Sequence, residues 1–189
     1  MYYIPIIELP VLILLVLTRA MVLRRQGIKV IVFGVTDKSD FFIIPIIVFF
    51  MYALLSGIFS FPFPRLLTEP FWETTVLLWA AVFLCTASLA WFALTLRIFG
   101  KSFRVGIDEK TNDKLITGGT FAFSRNPIYT AFIAFFTGIF LAYSGITMAV
   151  FLVLLTAAIH RQILREEKFL KSHYGEEYEN YCKKTRRYL

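Results

Sequence analysis

The sequence predicts an all-α integral membrane protein of five transmembrane helices. The N-terminus is expected outside, the C-terminus in the cytoplasm, with a cytoplasmic helical cap formed by the C-terminal tail. Three observations predict this. The 189 residues are 58% hydrophobic and only 17% charged, whereas a soluble domain is about half apolar and about 25% charged; mean hydropathy is +0.68. Five apolar stretches reach or approach the roughly 20 residues that a helix needs to cross the hydrocarbon core. All but Arg19 and Arg65 of the 20 Lys and Arg residues fall in segments 24–40, 97–125 and 161–189, separated by nearly uncharged gaps. Short cytoplasmic loops retain Lys and Arg, and short exported loops do not.

The first span covers residues 4–23. It reads as a span rather than a signal peptide, because no A-x-A-like cleavage site follows and Arg24-Arg25 stands behind the apolar run. The second covers 41–61 and the third 74–96, both without charge. Residues 128–143 and 146–159 form a helical hairpin joined at Ser144-Gly145. Five spans place the three basic segments on one side. The 62–73 loop and the Ser144-Gly145 turn face the other. Glu8 and Arg19 are the charges in the first span; Arg19 is near enough to the cytoplasmic end to snorkel.

The net charge of +7 follows from juxtamembrane basic residues facing anionic lipid headgroups, so no nucleic-acid partner is expected. Cys85 lies in the third span and Cys182 in the tail, which argues against a bridge between them. No Cys/His cluster supports a metal site, and neither GxGxxG nor a P-loop occurs. The chain reads as a single membrane domain: residues 1–96 are a three-span scaffold and residues 97–189 a catalytic half. No obligate protein partner is evident.

Segment 97–126 is too long for a connector, and Asp, Asn, Thr and Gly in its middle predict turns. Asn126-Pro127 reads as an N-cap followed by proline at the first helical position, so the fourth span starts near Pro127 with its positive dipole end toward the cytoplasm. The fifth span continues past the membrane until Gly175 stops it. On that extension His160, Ile163, Leu164, Glu167, Leu170 and Tyr174 share one face, and Gln162 and Glu166 another. A short helix over 176–184 carries Tyr178 and Tyr181.

Several residues carry two readings. Glu166 and Glu167 are either solvated charges paired with Arg161, Arg165 or Lys171 at helical spacing, or pocket carboxylates. Glu167 lies on the apolar face with His160, where an idle carboxylate is costly. Arg125 either binds lipid phosphate or helps the helix start hold an anionic group. Tyr174, Tyr178, Tyr181 and Tyr188 are interfacial anchors, cap core, or a stacking surface. His160 reads as a hydrogen-bonded structural residue or as part of the site.

The run Lys114-Leu-Ile-Thr-Gly-Gly-Thr-Phe-Ala-Phe-Ser-Arg-Asn-Pro-Ile-Tyr129 resembles the signature of the isoprenylcysteine carboxyl methyltransferase family, which belongs with the phospholipid methyltransferases. The stretch from Glu166-Glu167 through Gly175-Glu-Glu-Tyr178 and Tyr181 to Arg186-Arg187 resembles the family's C-terminal signature. The two cover about 90 residues, about half of the chain. The resemblance implies an S-adenosylmethionine-dependent methyltransferase, with S-adenosylhomocysteine as product and a cytoplasmic pocket. Lys114, Leu115, Ile116 and Phe121 would line the donor. Asn126, Pro127, Ile128 and Tyr129 would hold its amino-acid end, and His160 with one of Glu166 and Glu167 would complete the pocket. Arg125, Arg161, Glu166 and Glu167 are the candidate catalytic residues. Two positions depart from the family pattern: Asn126 replaces the commoner His, and Gln162 stands where an arginine for the substrate carboxylate is usual, with Arg161 beside it.

The implied substrate is lipophilic and embedded among membrane lipids, with the carboxylate of an isoprenylcysteine as the methyl acceptor. A phospholipid or amine headgroup is the alternative, and an NADPH-dependent membrane sterol reductase a more distant one. A carboxylate is already ionised at neutral pH, whereas an amine needs a base, for which Glu166, Glu167 and His160 are candidates.

Overall fold

The computed structural model describes residues 3–25, 43–59, 61–100 and 115–189, and these are all-helical without strands. The elements are α1 (Tyr3–Arg25), α2 (Ile43–Phe59), the single turn α3 (Arg65–Thr68), α4 (Thr75–Phe99), a 3-10 turn (Gly119–Ala122), α5 (Pro127–Ala142), α6 (Ile146–Tyr174) and α7 (Glu176–Lys184). Among the described residues, three helices are long and apolar enough to cross a membrane: Ile4–Arg25, Thr75–Phe99 and Ile146–Tyr174. Pro45–Ser56 and Pro127–Ala142 are apolar but shorter. At 16 residues, α5 is about 24 Å long, somewhat less than a hydrocarbon core of about 30 Å.

The helices pack in the order α1, α4, α5, α6, α2, with α4 and α5 as the most extensive pair. Lipid tails are as apolar as leucine, so close van der Waals fit rather than expulsion of water holds such helices together. Gly138 provides that fit between α4 and α5. A Cβ built there would lie 2.5 Å from Cys85 Sγ and 3.1 Å from the Ala81 carbonyl. The Cys85 thiol donates to the Phe135 carbonyl at 3.4 Å. Both cysteines are free. On the other side of the bundle Phe50 of α2 stacks on Phe151 of α6, ring centroids 3.7 Å apart. Gly138→Ala should destabilise the bundle by about 1–3 kcal/mol through overpacking. Cys85→Ala in the same chain should restore most of the loss. Thermal unfolding of the four proteins of that cycle reads the coupling; additive effects would separate the two side chains.

The bundle has two distinct ends. At one, Arg19 of α1 donates to the carbonyl of Gly100 behind α4, the indole of Trp91 donates to the Pro127 carbonyl at 3.1 Å, and Thr95 bonds Thr120 at 3.1 Å. Arg19 therefore reaches this end as the snorkelling argument expects. Glu8, further along α1, accepts from Thr86 at 2.5 Å. At the opposite end the 61–74 loop and the Ser144-Gly145 turn are bonded together. Phe71 N donates to the Ser144 carbonyl at 2.9 Å, and Thr147 Oγ1 donates to the Leu67 carbonyl at 2.7 Å. The loops expected to share a face do share one.

With 29 residues, α6 is about 43 Å long, longer than a hydrocarbon core is thick. Its last turns, beyond Ile159, project from the end that holds Pro127. Gly175 then reverses the chain at φ 52°, a left-handed value that favours glycine, and α7 folds back.

Candidate functional site

A tight local fold sets the position of the Arg125–Tyr129 segment. The 3-10 turn closes with Phe123 N and Ser124 N both donating to the Thr120 carbonyl at 3.2 Å. Ser124 Oγ accepts from Asn126 N at 3.1 Å, which holds Asn126 outside the helix at φ −129°, ψ 55°. Pro127, fully buried, then begins α5 as expected. The Asn126 side chain, however, makes no cap hydrogen bond. Its amide points instead at Glu167 Oε1 (3.3 Å) and the Arg187 carbonyl (3.2 Å). The anion at this helix start is thus a side chain of the protein itself.

Glu167 is the hub of the cap. Arg125 Nε and Nη2 donate to its Oε1 at 3.2 and 3.0 Å, and Arg187 Nε and Nη2 donate to Oε2 at 3.0 and 2.8 Å. The Glu167 and Arg125 side chains are each 12% exposed. Arg125 Nη1 also donates to the carbonyls of Cys182 (3.2 Å) and Thr185 (3.1 Å), and the Arg125 backbone N–H donates to the Arg186 carbonyl at 2.9 Å. One carboxylate therefore joins the start of α5, the extension of α6 and the C-terminal segment. Burial opposes its ionisation, but the hydrogen bonds from Arg187 and Arg125 outweigh burial and hold the Glu167 carboxyl below its ordinary value. Its partners come from other elements rather than from α6. Lys171 of α6 pairs with Glu179 of α7 at 2.9 Å.

Glu166, one residue earlier and about 100° round the helix, has a different environment. Its Oε1 accepts from Tyr129 Oη at 2.6 Å and from Gln162 Nε2 at 2.8 Å; its Oε2 takes no hydrogen bond among the described residues. Burial pushes its carboxyl above the ordinary value, while the Tyr129 and Gln162 hydrogen bonds and the nearby charge of Arg165 pull it partly back. This gives two adjacent carboxylates with opposite protonation tendencies, one clamped and one held by neutral donors. The arrangement can hold a cation or accept a proton at Glu166.

The other expected site residues are distributed as follows. Phe121 is buried, its ring 5.1 Å from that of Phe99, and its carbonyl accepts from Tyr181 Oη at 2.6 Å. Ile128 and Tyr129 pack on the core, and Leu115 and Ile116 are half-buried in the strand-free stretch before the 3-10 turn. His160 Nδ1 lies 2.7 Å from Tyr188 Oη. Arg161 is exposed on α6. Lys114, with the turn-rich residues 101–113, lies outside the described residues. Tyr178 and Tyr181 are buried, the cap-core reading of the tail tyrosines, and burial pushes the Tyr181 phenol up to about 12, so it stays a donor. Among the described residues no group of three or more His, Cys, Asp or Glu side chains could hold a metal ion.

Sequence reasoning missed Arg187 as the second partner of Glu167, and Ser124 as the organiser of Asn126. Arg187 stood in the C-terminal signature, but nothing in its spacing connected it to α6. The two family-like runs meet at one end of the bundle, as the resemblance requires. Residues 97–177 match the family model for phospholipid methyltransferases. No curated protein and no solved structure matches the chain.

Proposed function

We propose that this chain, with its phospholipid methyltransferase segment at residues 97–177, is an S-adenosylmethionine-dependent methyltransferase of the membrane that acts on a lipophilic acceptor. It has five spans and a cytoplasmic site. The family indicates a membrane methyltransferase and, in general, this donor. The observation that carries the reading further is Glu166. Its carboxylate accepts from Tyr129 and Gln162 on one oxygen, and the second oxygen takes no hydrogen bond among the described residues.

The residues suit the donor. Leu115, Ile116 and Phe121 offer apolar wall, Lys114 precedes them in sequence, and Asn126, Pro127, Ile128 and Tyr129 surround the start of α5. When bound, S-adenosylmethionine supplies an electrophilic methyl group. The protein's own part is to orient the acceptor in line with it, exclude water and handle the proton. The clamp of Arg125, Asn126 and Arg187 on Glu167 keeps α6 at the right distance from α5 for this.

The geometry favours an amine headgroup as acceptor. A carboxylate acceptor calls for an arginine fork, and Arg125 and Arg187 give their donors to Glu167 and to backbone carbonyls. An ammonium group needs an anion to position it and a base to take its proton, and Glu166 Oε2 answers both needs. A raised pKa suits a general base working near neutrality. The carboxylate of an isoprenylcysteine-like substrate is the second reading, resting on the family resemblance, with Arg161, exposed on α6, as the candidate cation. The test is to incubate membranes containing the protein with labelled S-adenosylmethionine and identify the product by mass spectrometry. A label stable to mild alkali on an amine headgroup is expected. An alkali-labile methyl ester would assign the carboxylate reading, and no transfer with retained NADPH binding would reject methyl transfer.

A further inference from the structure

We infer that the cavity at the opposite end of the bundle is a second ligand site, for the alkylammonium end of a small amphiphile. The cavity is about 200 Å3 and lies between α2, the 67–73 loop and the α5–α6 turn. Pockets for drug-sized ligands are larger, about 300–1,000 Å3, so this one suits a headgroup with a few methylenes.

Its walls are preformed. Besides the Phe71–Ser144 and Thr147–Leu67 bonds, Ser144 Oγ accepts from Trp72 N at 3.3 Å and donates to the Trp72 carbonyl at 3.2 Å. The Trp72 indole N–H donates to the Leu141 carbonyl at 3.1 Å, and the ring meets Phe140 edge-on at 5.4 Å. Ser144, Thr147 and the indole N–H are thus satisfied within the protein, and a fixed wall costs a ligand little ordering entropy.

The chemistry is one-sided. Leu54, Leu67 and Met148 give apolar wall, Trp72 and Tyr143 give aromatic surface, and among the described residues Glu73 is the one charged residue in the lining. An aromatic wall beside a carboxylate selects a cation over a neutral or anionic group of the same size. The apolar wall accepts the alkyl stem. This site is distinct from the Glu166 end and does not depend on the acceptor assigned there.

The test uses the full protein in zwitterionic lipid nanodiscs and three brominated quenchers: 6-bromohexyltrimethylammonium, 6-bromohexanol and 6-bromohexanoate. Saturable quenching of tryptophan fluorescence is expected at a concentration about fivefold or more lower for the ammonium than for the alcohol, and weakest for the carboxylate. Glu73 is exposed, so Glu73→Gln should keep the fold and make the ammonium and the alcohol equal. Trp72→Phe should remove the saturable component. Equal midpoints in the unaltered protein, a preference that survives Glu73→Gln, or quenching that survives Trp72→Phe would overturn the assignment.

Discussion

Replacing Glu167 by alanine should lower stability by about 3–5 kcal/mol, the range for breaking a buried ion pair by removal of one partner. The cost is not the sum of the bonds lost. Two guanidinium groups and the Asn126 amide would keep their places around a missing anion, and the side chain of Arg125 is 12% exposed, so water restores little of its solvation. The same reasoning gives an unusual expectation for the double substitution. Arg125→Met with Glu167→Leu removes both buried charges together, and apolar replacement of a whole pair is often nearly neutral. The double variant should therefore unfold at a higher temperature than Glu167→Ala alone. Thermal unfolding in detergent, with proteolysis of the segment after Gly175 as a local readout, measures both. A double variant less stable than the single would show that hydrogen bonds to the Cys182 and Thr185 carbonyls dominate. The pH dependence has a defined sign. A carboxyl held below its ordinary 4.5 contributes in full above that value and loses its contribution as pH falls through the folded pKa. The cap should loosen on acidification below about pH 4.5, and Glu167→Gln should abolish that transition.

This clamp also marks where sequence reasoning stops. Helical periodicity placed Gln162 and Glu166 on one face, and they are bonded at 2.8 Å. It placed Glu167 beside His160, and both meet the C-terminal segment, through Arg187 and Tyr188. Charge patterning paired the 62–73 loop with the Ser144-Gly145 turn, because sidedness in a membrane is a one-dimensional property of the chain. Proline at the first position located the start of α5, because proline forbids only the preceding helical hydrogen bond and the adjacent conformation. The partners of Glu167 were not readable in this way. Arg125 and Arg187 lie 42 and 20 residues away, and no local period carries such a pairing. Asn126 was assigned to capping because that is the local option for its side chain; a buried carboxylate across the site is a stronger acceptor than the backbone, and tertiary structure prevailed. The fourth span read over 128–143 agrees with α5 (Pro127–Ala142) to within one residue, because Asn126-Pro127 and Tyr143-Ser144 delimit it.

Glu166→Gln should reduce methyl transfer by about 10²–10⁴-fold, the usual contribution of a positioned base, with little loss of folded protein. The amide oxygen can still accept from Tyr129 and Gln162, so only the capacity to take a proton goes. The shape of the pH profile separates this role from donor binding. With Glu166 as base the reactive pair is an ionised carboxylate and an ammonium. The rate then rises through the Glu166 pKa, which burial holds above 4.5, and levels off until the amine itself titrates near 10, as an alkylamine does. In Glu166→Gln only the free amine reacts, so the rate should climb about tenfold per pH unit with no plateau. Tyr129→Phe supplies the second check. The phenol donates to Oε1 at 2.6 Å and favours the ionised form; without it the Glu166 pKa rises further. The acid limb should move to higher pH, while the plateau rate, once reached, should change far less. A profile that stays flat in Glu166→Gln while donor affinity falls in proportion to activity would make Glu166 a ligand of the donor. In that case the base would have to be sought elsewhere at this end of the bundle, first at His160.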